Sequence, residues 1–315
     1  MKLIIQIPCF NEEKTLANTI RDLPREIFGI DQIEYLVIDD GSDDQTVSVA
    51  KKENVHHILR LGSNRGLGQC FAKGIQFAIE KGADIVVNTD GDNQYPGSDI
   101  PALIKPIMEG KADIVVGGRP IIKHPEFGLI KKFFQLVGSK VIRFLSNTDI
   151  RDATSGFRAF SKESCQRIVI YSKFSYTLET LIQAGSNGLR ISSVDIGVNL
   201  KTRESRLFNS MFEYIYRSFI TIIKMFIYYQ PGKFFFMIGF VFEMTALFIG
   251  LRWIYLTFIT LNPDPLRTYL PSLILLTICA LAGFFLFFMG IIGEIIKVHR
   301  KLTEETLYQI RKNSL

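Results

Sequence analysis

Cysteine and histidine are scarce in this chain, and neither is spaced for chemistry. The four cysteines, Cys9, Cys70, Cys165 and Cys279, form no CxxC pair, so thiolate metal sites are excluded and reduced cytosolic thiols are expected. The four histidines, His56, His57, His124 and His299, show no ligand spacing either. Glycine is missing where a dinucleotide fingerprint needs it. The first apolar run, Leu3–Pro8, leads into Cys9-Phe10-Asn11-Glu12, and no P-loop follows elsewhere. No run of Lys and Arg is interleaved with stacking aromatics, so the net charge of +6 does not point to nucleic acid. No signal peptide is expected, because Leu3–Ile7 is too short for one and meets Asn11-Glu12-Glu13.

What the chain does have is unevenly placed. Its 315 residues are 47% hydrophobic, and the excess collects after about residue 207. Before that point, short β-branched runs alternate with helical patterns. Leu3–Pro8, Tyr35–Asp39, His57–Leu61, Asp84–Thr89 and Asp113–Gly117 read as strands of a parallel sheet covered on both faces. Leu16, Ile20 and Leu23 share one helix face behind Asn11 as the expected N-cap, and Phe71, Ile75 and Ala78 share another. This alternation gives βαβ units, whose ligands sit at the carboxyl ends of strands.

The apolar remainder predicts a membrane anchor. Residues 207–229 place Ser210, Glu213, Arg217, Thr221 and Lys224 on one polar stripe of an otherwise aromatic and aliphatic helix, which suits a membrane interface. Phe234–Thr260 and Tyr269–Ile296 are each long enough to span a bilayer, and Asn262-Pro263-Asp264-Pro265 between them makes a hairpin. Lys201, Arg203, Arg206, Lys233, Lys297, Arg300 and Lys301 flank the outer ends, whereas the turn carries Arg267. The positive-inside rule therefore puts the preceding domain and the C-terminus in the cytoplasm, on an integral membrane protein in contact with anionic lipid. Glu243, near the middle of the first span, is either a functional carboxylate or an inter-helix or inter-subunit hydrogen bond. The domain boundaries expected are 1–206 for the soluble domain, 207–230 for the interfacial helix, 231–298 for the hairpin and 299–315 for a tail. A homo-oligomer stays open.

Three loops carry the unusual residues. Asp39-Asp40-Gly41-Ser42-Asp43-Asp44 closes the second strand; Asp43 or Asp44 suits a helix cap, while Asp39 and Asp40 come too early to cap and can accept from a nucleoside base and ribose. Asp90-Gly91-Asp92-Asn93-Gln94 follows the fourth strand. Two carboxylates spaced i,i+2 around a glycine can face one hard cation, Mg²⁺ or Mn²⁺, which neutralises a diphosphate leaving group. Asn64-Arg65-Gly66-Leu67-Gly68 opens a helix with Lys73 beyond its first turn, permitting close backbone approach to a ligand.

Together with IPCFNEE, VVGGRP and DATSGFRAF, these segments resemble the family 2 glycosyltransferases of GT-A fold, and within them the membrane-anchored polyprenyl-phosphate sugar synthases. The resemblance runs from Ile5 to about Arg206. It implies a Rossmann-like, mostly parallel α/β domain that takes one sugar from a nucleotide-diphosphate sugar, UDP- or GDP-linked, to dolichyl or undecaprenyl phosphate. It implies that Pro8, Phe10 and Glu12 border the nucleotide, that Asp39 and Asp40 hold base and ribose, and that Asn64, Gly66, Lys73 and Gly91 complete the donor side. Asp90, Asp92 and Gln94 would form the metal corner. Arg119 and Arg203 would contact phosphates, Lys201, Arg206 and Ser155 would lie on the acceptor side, and Asp152 would line it, with a role as general base left open. One departure is Thr202-Arg203-Glu204-Ser205-Arg206, which lacks the glycine usual there and has Arg206 in place of a lysine.

No QxxRW element is present, and the single tryptophan, Trp253, lies in a membrane segment. That favours transfer of one sugar to a small carrier over polymerisation. A phosphate acceptor is already ionised, so it calls for positioning cations more than for a base. Two alternatives remain: a glycolipid or glycan hydroxyl as acceptor, and a non-catalytic membrane scaffold.

Overall fold

The computed structural model describes residues 1–119, 150, 152–171, 176–199, 211–259 and 269–314. The chain divides into two compact units, Met1–Phe219 together with Glu304–Leu315, and Ile220–Thr303.

The first unit is built on a seven-stranded sheet. Its elements in chain order are β1 (Lys2–Cys9), α1 (Leu16–Asp22), β2 (Gln32–Asp39), α2 (Thr46–Lys52), β3 (His57–Arg60), α3 (Leu67–Glu80), β4 (Ile85–Asn88), α4 (Ile100–Met108), β5 (Ile114–Gly118), β6 (Arg158–Ser161), α5 (Lys162–Arg167), α6 (Thr177–Ser186) and β7 (Ile191–Asp195). The strands lie in the order β3-β2-β1-β4-β6-β5-β7. β1 pairs in parallel with β2 on one side, Cys9 opposite Asp39, and with β4 on the other, Gln6 opposite Asn88. The chain thus winds outward through β2 and β3, then restarts across β1. The crevice opens at such a reversal, beyond the carboxyl ends of the strands.

β1 has apolar side chains on both faces, because both faces are covered. Leu3, Ile5 and Ile7 are fully buried in a core with Leu16, Ile20 and Leu103, and Ile4 is fully buried in a second core with Phe71, Ile75 and Ala78. All five expected strands are present to within about three residues at either end. They run in one direction within a mostly parallel sheet, as expected, and the exception is a strand that was not expected. β6 runs antiparallel to both β4 and β5, and β6 and β7 went unread. β6 is four residues long and starts with a fully buried arginine, Arg158, which masks the usual apolar strand pattern. α1 also begins later than expected, behind Thr15. Asn11 instead sits in the left-handed region at φ 57°, and its side chain accepts from the Asp43 backbone N–H at 2.9 Å.

The helices of the apolar part are α7 (Met211–Tyr229), α8 (Pro231–Ile254) continued by a short π-helical turn, and α9 (Leu270–Ser314). Pro231–Phe258 and Leu270–Asn313 are long and apolar enough to cross a membrane. In the second unit, small residues let the two helices approach. A Cβ on Gly283 would fall 2.7 Å from Glu243 Oε1, and one on Gly239 would fall 2.8 Å from the Phe287 ring. Glu243 therefore faces the other helix of the pair. The tail expected at 299–315 is helix as far as Ser314. Its last part, from Glu304, belongs to the first unit. The turn at 262–265, residues 207–210, and Lys201, Arg203 and Arg206 lie outside the described residues.

Candidate active site

The carboxyl ends of β1, β2, β4 and β5 bring most of the singled-out residues together. Asp39 ends β2 at 1% exposure. One of its carboxylate oxygens accepts from Ser42 N–H at 2.9 Å. The other is buried with no hydrogen bond among the described residues, and Arg60 Nε stands 3.5 Å away. A buried acceptor without a donor is costly, and the Arg60 guanidinium is the charge set against this one. Asp40 is different. Its two oxygens accept from the backbone N–H groups of Arg65 and Gly66, at 2.8 and 2.9 Å. Gly41 makes this possible: at φ +79°, any Cβ there would lie 2.8 Å from the Ser63 backbone. Asp40 thus holds the 64–66 loop at the start of α3, where Asn64 Oδ1 also accepts from Gly66 N–H at 3.1 Å. Sequence spacing alone did not separate this tying role from the base- and ribose-holding role given to both aspartates.

Phe10, just past β1, is 39% exposed, while Pro8 and Glu12 are buried. The Thr15 hydroxyl lies 2.9 Å from Glu12 Oε2 and 2.8 Å from the Gly91 carbonyl. The Thr19 hydroxyl donates to the same carbonyl at 3.0 Å. Two threonines of the first helical segment therefore fix the Asp90–Gln94 turn from below. Lys73 is exposed on α3, and among the described residues its partner is Gln76, 3.3 Å away on the same helix.

Asn93 is left-handed at φ 55°, which folds the turn back so that Asp92 Oδ1 accepts from Gln94 N–H at 3.2 Å. Asp90 and Asp92 are both half-buried. Two carboxylates and a nearby carboxamide are hard oxygen donors and fit Mg²⁺ or Mn²⁺. Asn199, beyond β7, clasps the turn from the other side. Its N–H donates to Gln94 O and its side-chain amide to Asn93 O, each at 3.0 Å. The basic stretch at 201–206 follows in sequence and lies outside the described residues.

Arg119 follows β5 and faces Asp152. Arg119 Nε donates to Asp152 Oδ2 at 2.7 Å and Nη2 to Oδ1 at 3.2 Å, a bidentate pair. Thr154 adds its hydroxyl and N–H to Asp152 Oδ1, and its hydroxyl also accepts from Arg119. Asp152 is fully buried. Burial by itself would raise its carboxyl, but the charge and hydrogen bonds of Arg119, helped by Thr154, hold it below the ordinary carboxylate value. Both oxygens are engaged by Arg119, so Asp152 orients the guanidinium. Ser155 is fully buried too.

Beneath these residues runs a polar network that the sequence did not signal. Asn88 donates to Tyr176 OH at 2.7 Å and to Gly156 O at 3.0 Å. Tyr95 OH accepts from Gly156 N–H at 3.3 Å. Any Cβ on Gly156 would lie 3.1 Å from Asp90 Oδ1, so the 152–157 loop packs directly on the DxD turn. Arg158 holds that loop from behind, donating to the carbonyls of Ala153, Ser155 and Thr177 and to the Thr180 hydroxyl at 2.6–2.8 Å. Burial pushes its guanidinium down to about 10. A strand reading cannot find such a residue, because its partners are backbone carbonyls remote in sequence.

A doubly wound sheet with carboxylates at the ends of its switch-point strands and the Arg119–Asp152 ion pair beside them suits the GT-A fold of glycosyltransferases. Residues 4–169 match the profile described as "Glycosyl transferase family 2", and the chain belongs to that family. It is 32% identical to the UDP-N-acetylglucosamine–dolichyl-phosphate N-acetylglucosaminyltransferase of Methanococcus voltae, over 60% of this chain and 82% of that protein. It is 28% identical to the undecaprenyl-phosphate mannosyltransferase of Micrococcus luteus, over 62% and 83%. The fold is also that of glucosyl-3-phosphoglycerate synthase from Mycobacterium tuberculosis, solved with Mn²⁺, UDP and glucosyl-3-phosphoglycerate. That likeness has a TM-score of 0.55 and 17% identity, and covers 71% of this chain and 78% of that one. Other relatives too carry names of polyprenol- or dolichol-phosphate mannose transferases.

Proposed function

We propose that the chain transfers a single sugar, hexose or N-acetylhexosamine, from a nucleotide-diphosphate sugar to a polyprenyl phosphate, with inversion at the anomeric carbon. The observation that carries this reading is the commitment of Asp152 to Arg119. A hydroxyl acceptor needs a base on the acceptor side, and the carboxylate sitting there is occupied in holding a cation. A phosphate acceptor needs that cation and no base.

On the donor side, Asp39 offers its buried open oxygen to base or ribose, and Phe10 offers an exposed ring. Asp90, Asp92 and Gln94 would hold Mg²⁺ or Mn²⁺, which when bound supplies charge neutralisation to the diphosphate. On the acceptor side, Arg119, oriented by Asp152 and Thr154, steadies a phosphate whose oxygen attacks the anomeric carbon. The bond to the nucleoside diphosphate breaks, its electron pair leaves with that group, and no proton has to move. Lys201, Arg203 and Arg206 follow Asn199 by two to seven residues, which supports a further phosphate contact beside the metal corner.

The acceptor's tail stays in the bilayer, since each CH₂ exposed to water costs about 0.8 kcal/mol. The two apolar helices support a membrane anchor, and their basic flanks support a cytoplasmic catalytic domain. Residues 304–314 belong to the unit that carries the sheet, consistent with the chain end and the catalytic domain sharing one side. The test is to incubate membranes holding the protein with labelled nucleotide sugars, UDP- and GDP-linked, and polyprenyl phosphate, then to extract lipid. Label in the lipid fraction, dependent on added polyprenyl phosphate, is expected. Label found only on glycan or glycolipid would overturn the reading.

A further inference from the structure

The end of the chain is built into the catalytic unit. Arg311, on α9, donates one guanidinium N–H set to the carbonyls of Gln166 and Ile168, both at 3.0 Å. These carbonyls lie at the end of α5 and just beyond. Three residues back, the Tyr308 ring is 6% exposed and lies under the Arg167 guanidinium at 3.8 Å from the ring centroid. Arg167 also pairs with Glu305 at 3.2 Å. A surface tail has no reason to bury a tyrosine and to satisfy two carbonyls of another segment.

The segment gripped by Arg311 is in turn gripped by α6. Val169 N–H donates to Gln183 Oε1 at 3.0 Å, and the Gln183 amide returns a bond to Val169 O. Tyr171 N–H donates to Glu179 Oε1 at 3.1 Å. Glu179 and Gln183 are one helical turn apart, so they share a face of α6. The same helix and the residue before it also contact the active-site loop. Tyr176 OH donates to Gly156 O at 3.0 Å, and Thr177 O and Thr180 Oγ1 accept from Arg158. Arg158 holds the loop that carries Asp152, and Gly156 abuts Asp90. A continuous set of hydrogen bonds thus runs from Arg311 through residues 166–171 and α6 to the loop between Arg119 and the DxD turn.

We propose that residues 304–314 are a positioning element of the catalytic unit, with Arg311 as the positioning residue acting through residues 166–171 and α6 on the 152–158 loop. Arg311 touches no substrate. Its effect falls on the geometry of the acceptor side, and nucleoside binding, set by β1, β2 and the Asp40 tie, is unaffected.

The kinetic part of the test rests on the transfer reaction proposed above, and the exchange part does not. Full-length protein in detergent is compared with Arg311→Met and Arg311→Lys, using the nucleotide sugar and polyprenyl phosphate that the wild type turns over. For Arg311→Met, kcat is expected to fall about tenfold, with KM for the nucleotide sugar within about twofold and faster amide exchange at 169–171 and in α6. Arg311→Lys, which can still donate to carbonyls, is expected to recover most of the loss. Unchanged kcat would overturn the proposal. So would a lost kcat with unchanged exchange at 169–171, or one that returns fully on cooling because the variant is merely less stable. A chain ending at Thr303 should show the same split more strongly. If it does not fold, the point variants decide. If the wild type transfers no sugar to polyprenyl phosphate, the reaction reading fails while the exchange comparison still decides whether Arg311 braces α6.

Discussion

Replacing Asp152 with asparagine separates the two roles its place in the sequence allowed. The side chain keeps its shape but loses the charge that balances Arg119, which is itself only 13% exposed. Removing one partner of a buried ion pair costs about 3–5 kcal/mol. The lower end applies here, because the amide oxygen can still accept from the guanidinium while the amide nitrogen cannot. At about 2–4 °C per kcal/mol for a unit of this size, thermal unfolding in detergent should move down by about 6–12 °C. The pH dependence has a definite sign. The Asp152 carboxyl is depressed in the folded state, so its contribution is full above the ordinary aspartate value of about 4 and is lost as pH falls through the lower folded value. The asparagine variant should lack that part of the acid destabilisation. The rate at sub-saturating acceptor should fall less than about a hundredfold, mainly through a raised KM for the acceptor, since Arg119 remains charged but is less firmly aimed. The assay pairs unfolding scans with pH–rate profiles of transfer. A variant with wild-type stability, turnover reduced by about 10³ or more, and the acid limb gone from its pH–rate profile would mean that Asp152 works as a general base.

Three further outcomes follow from the same geometry. Asp92→Ala, or excess chelator on the wild type, should lower transfer by about a hundredfold or more, with recovery on adding Mn²⁺ or Mg²⁺ only for the wild type; undiminished transfer would remove the metal corner. Arg203→Ala should impair transfer to polyprenyl phosphate even in detergent while nucleotide binding, followed by calorimetry, is retained; normal turnover with weakened membrane affinity would make Arg203 a lipid-surface residue. Single-cysteine reporters at Asp264 and Lys301 should label from outside the cell and only after permeabilisation, respectively, and the opposite pattern would reverse the topology.

Much of this protein is local and was therefore legible in the sequence. Five strands were readable because each is a short β-branched run next to a helical pattern, and a strand buried on both faces is apolar for most of its length, as Leu3, Ile4, Ile5 and Ile7 are around the buried Gln6. The two apolar helices were readable because the length needed to cross a bilayer is a property of consecutive residues. The carboxylates at strand ends were readable because they break an apolar run where a soluble core would continue it. What the sequence could not carry is who meets whom. Asp39 and Asp40 are adjacent and alike, yet one keeps a buried oxygen without a hydrogen-bond donor among the described residues while the other is consumed by Arg65 and Gly66; only the closure of the 64–66 loop onto β2 separates them. Asp152 and Arg119 are far apart in the chain, and only the packed fold pairs them. Arg158 inside β6, Tyr176 before α6 and Arg311 at the end of α9 gain their roles from backbone carbonyls that no spacing reveals. Propensity and hydrophobic period act between neighbours along the chain, whereas a buried charge takes its meaning from whichever groups the packed fold leaves within hydrogen-bond reach.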